Sequence, residues 1–373
     1  MNTFTLLKTV DHYGRGVASY GTISASDSLA MTDVAGIESK AADLGIISAV
    51  NEVDDASNKF LVSSLKATGH IGHDGQYRPI DHGGNSIGQI CAEIRAGHGH
   101  LVFYANGRVE MFDAAGRVLI REIEMFYSGR QQGKTGMPVA KSYANIAVVR
   151  NSVFWIRYRG PALIRYEPPS KENDPITEPK IIREGIAEIA SSSTLDYLVG
   201  LDKKNAKICK MDCNGEIVAK AKYGVGAKCK VVQSTLAASR KWVVVAKQIQ
   251  TKSQAYKSYL ELLNSKLTSV NIRRFKDYNE RCTGLAISET EKGSWLLYAV
   301  ASCKLVLFRI TSAGLVPTRH FDGSQGNLLT LICGIKELKS ESGFIVTGQS
   351  KDVPANTQRG LFKPYDKNYD YIL

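Results

Sequence analysis

No run of 18 apolar residues occurs in the 373-residue chain, so nothing in it has the make-up of a membrane-spanning helix. The opening MNTFTLLKTVDHYGRG lacks a basic region followed by an apolar stretch and a small-residue cleavage site, so no secretory signal is expected. It is equally poor as an amphipathic, Arg-rich transit peptide. A disulfide framework is not expected either. The seven cysteines are odd in number, and most sit among apolar residues, as in GQICAEI and LTLICGI. Buried reduced thiols suit that setting, and with them a cytoplasmic location. Cys209 and Cys213 are separated by three residues with no second Cys/His pair nearby, which disfavours zinc. Acidic residues are scarce in one place. From Gly200 to Lys276 there are 17 Lys or Arg against four acids (Asp202, Asp212, Glu216, Glu261), a local excess of 17 − 4 = +13. The whole chain carries +12, so the remainder is near neutral.

Turns are what the sequence has in abundance. In LVFYANGRVEMFDAAGRVLIREIE, Asn106-Gly107 suits a tight hairpin, because both residues tolerate positive φ. Asp113-Ala114-Ala115-Gly116 then makes a second turn, and three strands of a meander result. That second turn recurs as Asp33-Val34-Ala35-Gly36, Asp212-Cys213-Asn214-Gly215 and Thr311-Ser312-Ala313-Gly314. An Asp or Thr at the first position can bond to nearby backbone, and Gly supplies the left-handed one. The starts at 113, 212 and 311 are 99 apart, which is two units. Weaker equivalents stand at Glu167 and Asn264, at His73-Asp74-Gly75 and at Tyr365-Asp366-Lys367-Asn368.

A second ladder runs beside the first. NIAVV, EIASSS, TLAAS and GLAIS place an aliphatic-Ala pair at Ile146, Ile189, Leu236 and Leu285, in steps of 43, 47 and 49. After each comes a turn and then an apolar run: SVFWIR, DYLVGL, KWVVVAK and SWLLYAV. All three tryptophans (Trp155, Trp242, Trp295) fall in these second runs. Four strands per unit at this period predict an all-β chain, a single β-propeller of four-stranded antiparallel blades over residues 1–373. One blade cannot hide both of its faces, so blades stack around an axis. The turn ladder favours eight blades. Seven is the alternative, since IESKAADLG reads also as a short helix and would merge the first two units.

This pattern resembles the WD40-like propeller superfamily. No Trp-Asp dipeptide closes any unit, and Gly-His pairs (Gly69-His70, Gly97-His98, Gly99-His100) do not occur once per repeat. The resemblance implies a scaffold presenting loops and strand edges to other macromolecules, in most cases without enzymatic activity.

Candidate chemistry is sparse. FYSGRQQGKTGMP ends like a phosphate-binding loop at Gly133-Lys134-Thr135. Only three residues separate Gly129 from Gly133 where the pattern needs four, and the position required to be Gly holds Ser128. The loop should also open a helix, whereas VAKSYANIAVV reads as strand. A polar inter-blade loop is the expectation. His70, His73, His82, His98 and His100, with Asp74 or Asp81, are metal-ligand types in stretches that read as loops; turn residues of a propeller have the same composition. No metal, cofactor or catalytic residue is assigned.

The basic segment is the most specific signal. In GEIVAKAKYG the strand alternates, with Ile217, Ala219 and Ala221 on one face and Glu216, Val218, Lys220 and Lys222 on the other. Lys203, Lys204, Lys207, Lys210, Lys228, Lys230, Arg273, Arg274 and Lys276 extend the charge over consecutive units, with Tyr223, Phe275 and Tyr278 near enough in sequence to stack on bases. The segment reads either as a solvated face or as a binding sector. EPPSKENDPITEP (167–179), with four of the ten prolines, reads as an extended, mobile excursion, and QSKDVPANTQRG as another. The expected function is a non-enzymatic intracellular interaction scaffold or adaptor, a subunit of a larger assembly with protein partners. Alternatives are a propeller binding RNA or another polyanion through the basic sector, and an enzyme with a central-channel site near the histidines.

Overall fold

The computed structural model describes 28 strands between Thr5 and Ser350, together with the connections at 80, 97, 150–151, 157, 161, 167–171, 174–179, 185, 191–192, 195–196, 205–206, 213–216, 239–241, 251, 265–268, 291, 304 and 312–313. Among the described residues all regular structure is strand, and no helix is long and apolar enough to cross a membrane.

The strands form seven four-stranded antiparallel sheets. The chain begins with β1 (Thr5–Val10) and β2 (Gly16–Ser24). Blade 1 is β3 (Ile47–Glu52), β4 (Asn58–Ser64), β5 (Thr68–Gly72) and β6 (Tyr77–Pro79). Blade 2 is β7 (Ile90–Ala96), β8 (Gly99–Tyr104), β9 (Val109–Asp113) and β10 (Val118–Glu122). Blade 3 is β11 (Ile146–Val149), β12 (Ser152–Ile156), β13 (Ala162–Tyr166) and β14 (Lys180–Glu184). Blade 4 is β15 (Ile186–Ala190), β16 (Tyr197–Asp202), β17 (Lys207–Asp212) and β18 (Ile217–Lys222). Blade 5 is β19 (Lys230–Ala238), β20 (Trp242–Gln250), β21 (Tyr256–Asn264) and β22 (Ser269–Phe275). Blade 6 is β23 (Cys282–Thr290), β24 (Gly293–Val300), β25 (Leu305–Thr311) and β26 (Gly314–Phe321). Blade 7 joins the two ends of the described chain: β27 (Leu329–Leu338) and β28 (Gly343–Ser350) pair onward to β2 and then β1.

Both ladders map onto this arrangement. The aliphatic-Ala pairs lie on the first strands β11, β15, β19 and β23, and the following apolar runs are the second strands β12, β16, β20 and β24. Six of the eight turns, those near 74, 113, 167, 212, 264 and 311, fall between the third and fourth strands of blades 1 to 6. The expected side-chain bonding is present. Asp212 accepts from the amides of Asn214 (2.8 Å) and Glu216 (2.9 Å), and Asn264 accepts likewise from Lys266 and Thr268, both at 3.0 Å. Each carboxyl or amide oxygen thus occupies two amides that no strand partner reaches. Gly215 takes φ 83°, and a Cβ there would lie 2.1 Å from Ile182 Cδ1 of blade 3, so the turn needs Gly for conformation and for contact.

The favoured count of eight is corrected to seven among the described residues. The units at 33 and 366, like IESKAADLG, lie outside those residues. Blade 7 takes two strands from each end, so its own third-to-fourth turn is between β2 and β1, a position the ladder does not reach. Pairing the two ends in one sheet also covers edges that an open array would expose.

Neighbouring blades bury their faces against each other. Blades 2 and 3 share a core in which Trp155 meets Phe103 edge-on at 5.6 Å between ring centroids. Blades 3 and 4 share Leu163, Ile189, Cys209 and Met211; blades 4 and 5 share Val199, Ile208, Val245 and Leu263; blades 5 and 6 share Leu260, Leu296 and Phe308. β27 packs on β23, β3 on β27 and β28, and β7 on β3 and β4, which closes the ring. Each fully buried Phe, Leu or Val contributes about 1.5–3 kcal/mol relative to exposure, so the blade seams dominate stability.

Candidate functional site

The basic segment folds into blades 4 and 5, and neighbouring blades divide its charges between them. β18 alternates half-buried and exposed residues as its sequence predicts, with Val218, Lys220 and Lys222 exposed. Cross-strand partners share a face. Lys220 lies opposite Cys209, and Lys222 opposite Lys207. Cys209 packs with Leu163 of blade 3, so these three lysines belong to the side of blade 4 that meets blade 3. On blade 3, Leu163 is paired with Arg183 of β14, which puts that guanidinium in the same seam. Arg183 Nη2 lies 3.5 Å from Glu216 Oε2 of blade 4. Burial, first, and then Asp202 push the Cys209 thiol pKa up, while Lys220, Arg183 and Lys207 push it down.

Lys210 is on the opposite face of β17. Its Nζ donates to the Ser265 carbonyl of blade 5 at 3.1 Å and lies 3.9 Å from the Tyr197 ring centroid. Burial lowers its pKa. Arg273 is used in the same way one blade on: Nη1 donates to the Leu315 carbonyl of blade 6 at 2.7 Å, with the guanidinium 6.0 Å from the Phe308 ring. Both act as staples between blades. Arg274 is exposed on β22 beside Ile272, another exposed aliphatic residue. Lys230 begins β19, the first strand of its blade, away from the outer strands. Lys203, Lys204, Lys228 and Lys276, with Tyr223 and Tyr278, lie outside the described residues. Sequence reading missed Arg183. The seam brings it in from a blade outside the basic segment, and nothing local in KIIRE signals that.

At the turns between first and second strands, successive blades are joined by polar bonds. Arg150 Nε donates to Asp196 at 3.1 Å, and that bond, followed by the charge itself, lowers the Asp196 pKa. Tyr197 Oη donates to the Ser239 carbonyl at 2.6 Å, and Ser239 Oγ to Glu289 Oε1 at 2.7 Å. Ser192 Oγ donates to Glu337 Oε2 at 2.6 Å. Ser192 follows β15 of blade 4, and Glu337 is on β27 of blade 7. Those blades are three steps apart in the ring, so this bond crosses its axis and bridges one mouth.

The histidines are not all in loops. His70 is on β5 and His100 on β8, with ring centroids 6.2 Å apart across the seam of blades 1 and 2. His100 Nδ1 lies 2.9 Å from Glu93 Oε1, and Glu93 is fully buried. Among the described residues no group of three or more His, Cys, Asp or Glu could hold a metal ion. His73, His82 and His98 lie outside those residues, as does the loop Gly129–Thr135 between β10 and β11. Sequence reading finds no G-x-S-x-G nucleophile elbow, which is corrected here: Gly84-Asn85-Ser86-Ile87-Gly88 has that spacing, and it too is outside the described residues. The next described element is the strand β7, whereas such an elbow opens a helix.

The proline-rich segment 167–179 packs back onto the molecule. Thr177 Oγ1 donates to the Glu167 carbonyl at 3.0 Å, and Ser170 and the Lys171 amide both donate to Asp174 Oδ2 at 2.8 Å. Pro169 lies over the β7–β8 hairpin so closely that a Cβ on Gly97 (φ 58°) would come within 2.1 Å of its carbonyl oxygen. The second expected excursion lies outside the described residues from 351 onward.

No protein-family model matches the chain, and no curated protein does. Solved structures do. Hydrazine synthase of Kuenenia stuttgartiensis is similar at a TM-score of 0.55 and 10% identity, over 83% of this chain and 97% of that one. BamB of Moraxella catarrhalis is similar at 0.48 and 10%, over 90% and 91%. The β-propeller domain of Cps50 (Swd1) from Myceliophteria thermophila follows at 0.44 and 12%, over 83% and 99%. The chain is a β-propeller. At such identities the likeness is one of fold, and the propeller's function has to be argued from its own side chains.

Proposed function

We propose that this propeller is a non-enzymatic intracellular scaffold that docks an acidic protein partner, as a subunit of a larger assembly, through the outer strands of blades 4 and 5. One observation carries the reading. The exposed faces of β18 and β22 pair aliphatic with basic residues, Val218 with Lys220 and Lys222, and Ile272 with Arg274. Val218 is 59% and Ile272 61% exposed, so these side chains give up hydration where a partner would restore burial. The lysines supply a field that attracts an acidic surface and raises its association rate.

The test is affinity capture from native cells with mass spectrometry, comparing the wild type with Lys220→Glu/Lys222→Glu/Arg274→Glu. Arg273 is left intact because it ties blade 5 to blade 6. The expected result is loss of specific partners with an unchanged thermal unfolding midpoint. Recovery of the same partners by both proteins overturns the reading.

A further inference from the structure

We infer that the outer seam between blades 3 and 4 binds a phosphate monoester carried on an extended peptide, held by Arg183, Lys207, Lys220 and Lys222. This rests on the scaffold reading and names the chemistry of the partner at one place on the rim.

Among the described residues, the seam holds more cationic than anionic side chains. Lys207 and Lys222 are directly opposed across β17 and β18, an arrangement that costs stability between like charges. Lys220 is two residues along on the same face. Arg183 enters from blade 3, and its Nε is buried without a hydrogen-bond acceptor among the described residues. A buried donor left in that state favours binding of an acceptor. The nearby carboxylates also accept bonds from other groups. Glu216 reaches Arg183 only at 3.5 Å and is 77% exposed. Asp202 accepts both the amide and the side-chain nitrogen of Asn205. Asp212 caps its own turn, and Glu184 pairs with Arg157 at 3.4 Å. Among the described residues, four cations therefore face two carboxylates on this seam, Glu216 and Asp202, the latter opposite Lys207 across β16 and β17.

The excess selects the ligand. A carboxylate side chain brings a single negative charge. A phosphate monoester brings about −1.5 to −2 at neutral pH and three acceptor oxygens, which suits a guanidinium fork flanked by ammonium groups. A nucleic acid needs a track of cations and exposed aromatic rings. Here the cations share one face of a single seam, and among the described residues of the seam no aromatic side chain is exposed. The peptide backbone has a natural seat. β18 is the outermost strand of its sheet, and among the described residues no strand pairs with its outer edge. An extended segment can add there through main-chain bonds, with Val218 offering apolar contact.

The test uses fluorescence anisotropy with the full chain and three probes: a short alternating Val/Ser peptide with one central phosphoserine, its unphosphorylated twin, and a single-stranded oligothymidylate. The phosphopeptide is expected to bind at least about tenfold tighter than its twin, in keeping with charge-assisted bonds to phosphate. Arg183→Gln/Lys220→Gln should erase that difference, and Lys266→Gln, in the exposed turn of blade 5, should preserve it. A second measurement needs no peptide. At constant ionic strength, inorganic phosphate in place of chloride should raise the wild-type melting temperature, and less so that of Lys207→Gln. Equal binding of both peptides overturns the inference, as does tighter binding of the oligothymidylate or indifference to Arg183 and Lys220. Failure here with charge-dependent partner capture intact refutes the phosphate site and leaves the scaffold reading standing.

Discussion

The seams on either side of blade 4 use the same residue type in opposite ways. Toward blade 5, lysine is internal. Lys210 is spent on a carbonyl and a tyrosine ring, and Lys247 of blade 5 forms a buried ion pair with Glu261. Toward blade 3, Lys207, Lys220 and Lys222 share a face on which, among the described residues, Lys207 alone has a carboxylate, Asp202, directly opposite it. A single strand, β17, supplies lysines to both sides, because Lys207 and Lys210 are an odd number of residues apart. A charge excess read from sequence is thus split by the fold into charge that holds blades together and charge left for a ligand.

The largest effect expected from breaking this contrast is at the buried pair. Lys247→Met leaves Glu261 buried without its counter-ion and should cost about 3–5 kcal/mol, whereas Lys247→Met/Glu261→Leu should recover most of that loss. Urea unfolding of the two variants checks it. If both lose equally, the pair is not what the seam depends on.

A smaller effect is expected at Tyr197, under Lys210. Its hydroxyl pKa is pushed up to about 12, by burial first and Glu289 second, from an ordinary value of 10.0. A folded-state pKa above the unfolded one gives stability that is complete below pH 10 and lost as pH rises through about 12. Tyr197→Phe also loses the bond to Ser239, at a cost of about 1 kcal/mol at neutral pH. Its stability should then fall less steeply over that alkaline range. Parallel slopes for the two proteins would show that Tyr197 titrates no differently when folded.

The smallest effect, and the only one of opposite sign, belongs to the seam with blade 3. Lys222→Gln relieves the opposition to Lys207 and should raise stability by about 0.2–1 kcal/mol at low salt. The gain should shrink as salt screens the wild type. Thermal melts at two ionic strengths decide it. A loss of stability on substitution would mean that Lys222 already has a stabilising partner.

By itself the sequence determined what depends on near neighbours. The turn ladder was legible because Asp212 and Asn264 bond to amides two and four residues onward, a chemistry complete within one turn. The alternation of β18 was legible because a strand's two faces follow from a period of two. The four-stranded units followed from repetition of both. The tertiary structure alone decided how units close on themselves. Blade 7 draws on residues near both ends of the described chain, so the described residues form seven sheets where the turn ladder counts eight units. It also decided what each face meets. Lys210 and Arg273 read in sequence like free charges, and their carbonyl partners at Ser265 and Leu315 are 55 and 42 residues away. Arg183 lies outside the basic segment altogether, and the bulge that aligns it with Leu163 is a matter of register, not composition. The physical reason is common to all these cases. Local sequence sets which side of a strand a residue is on, but the charges and cavities it encounters there belong to another blade.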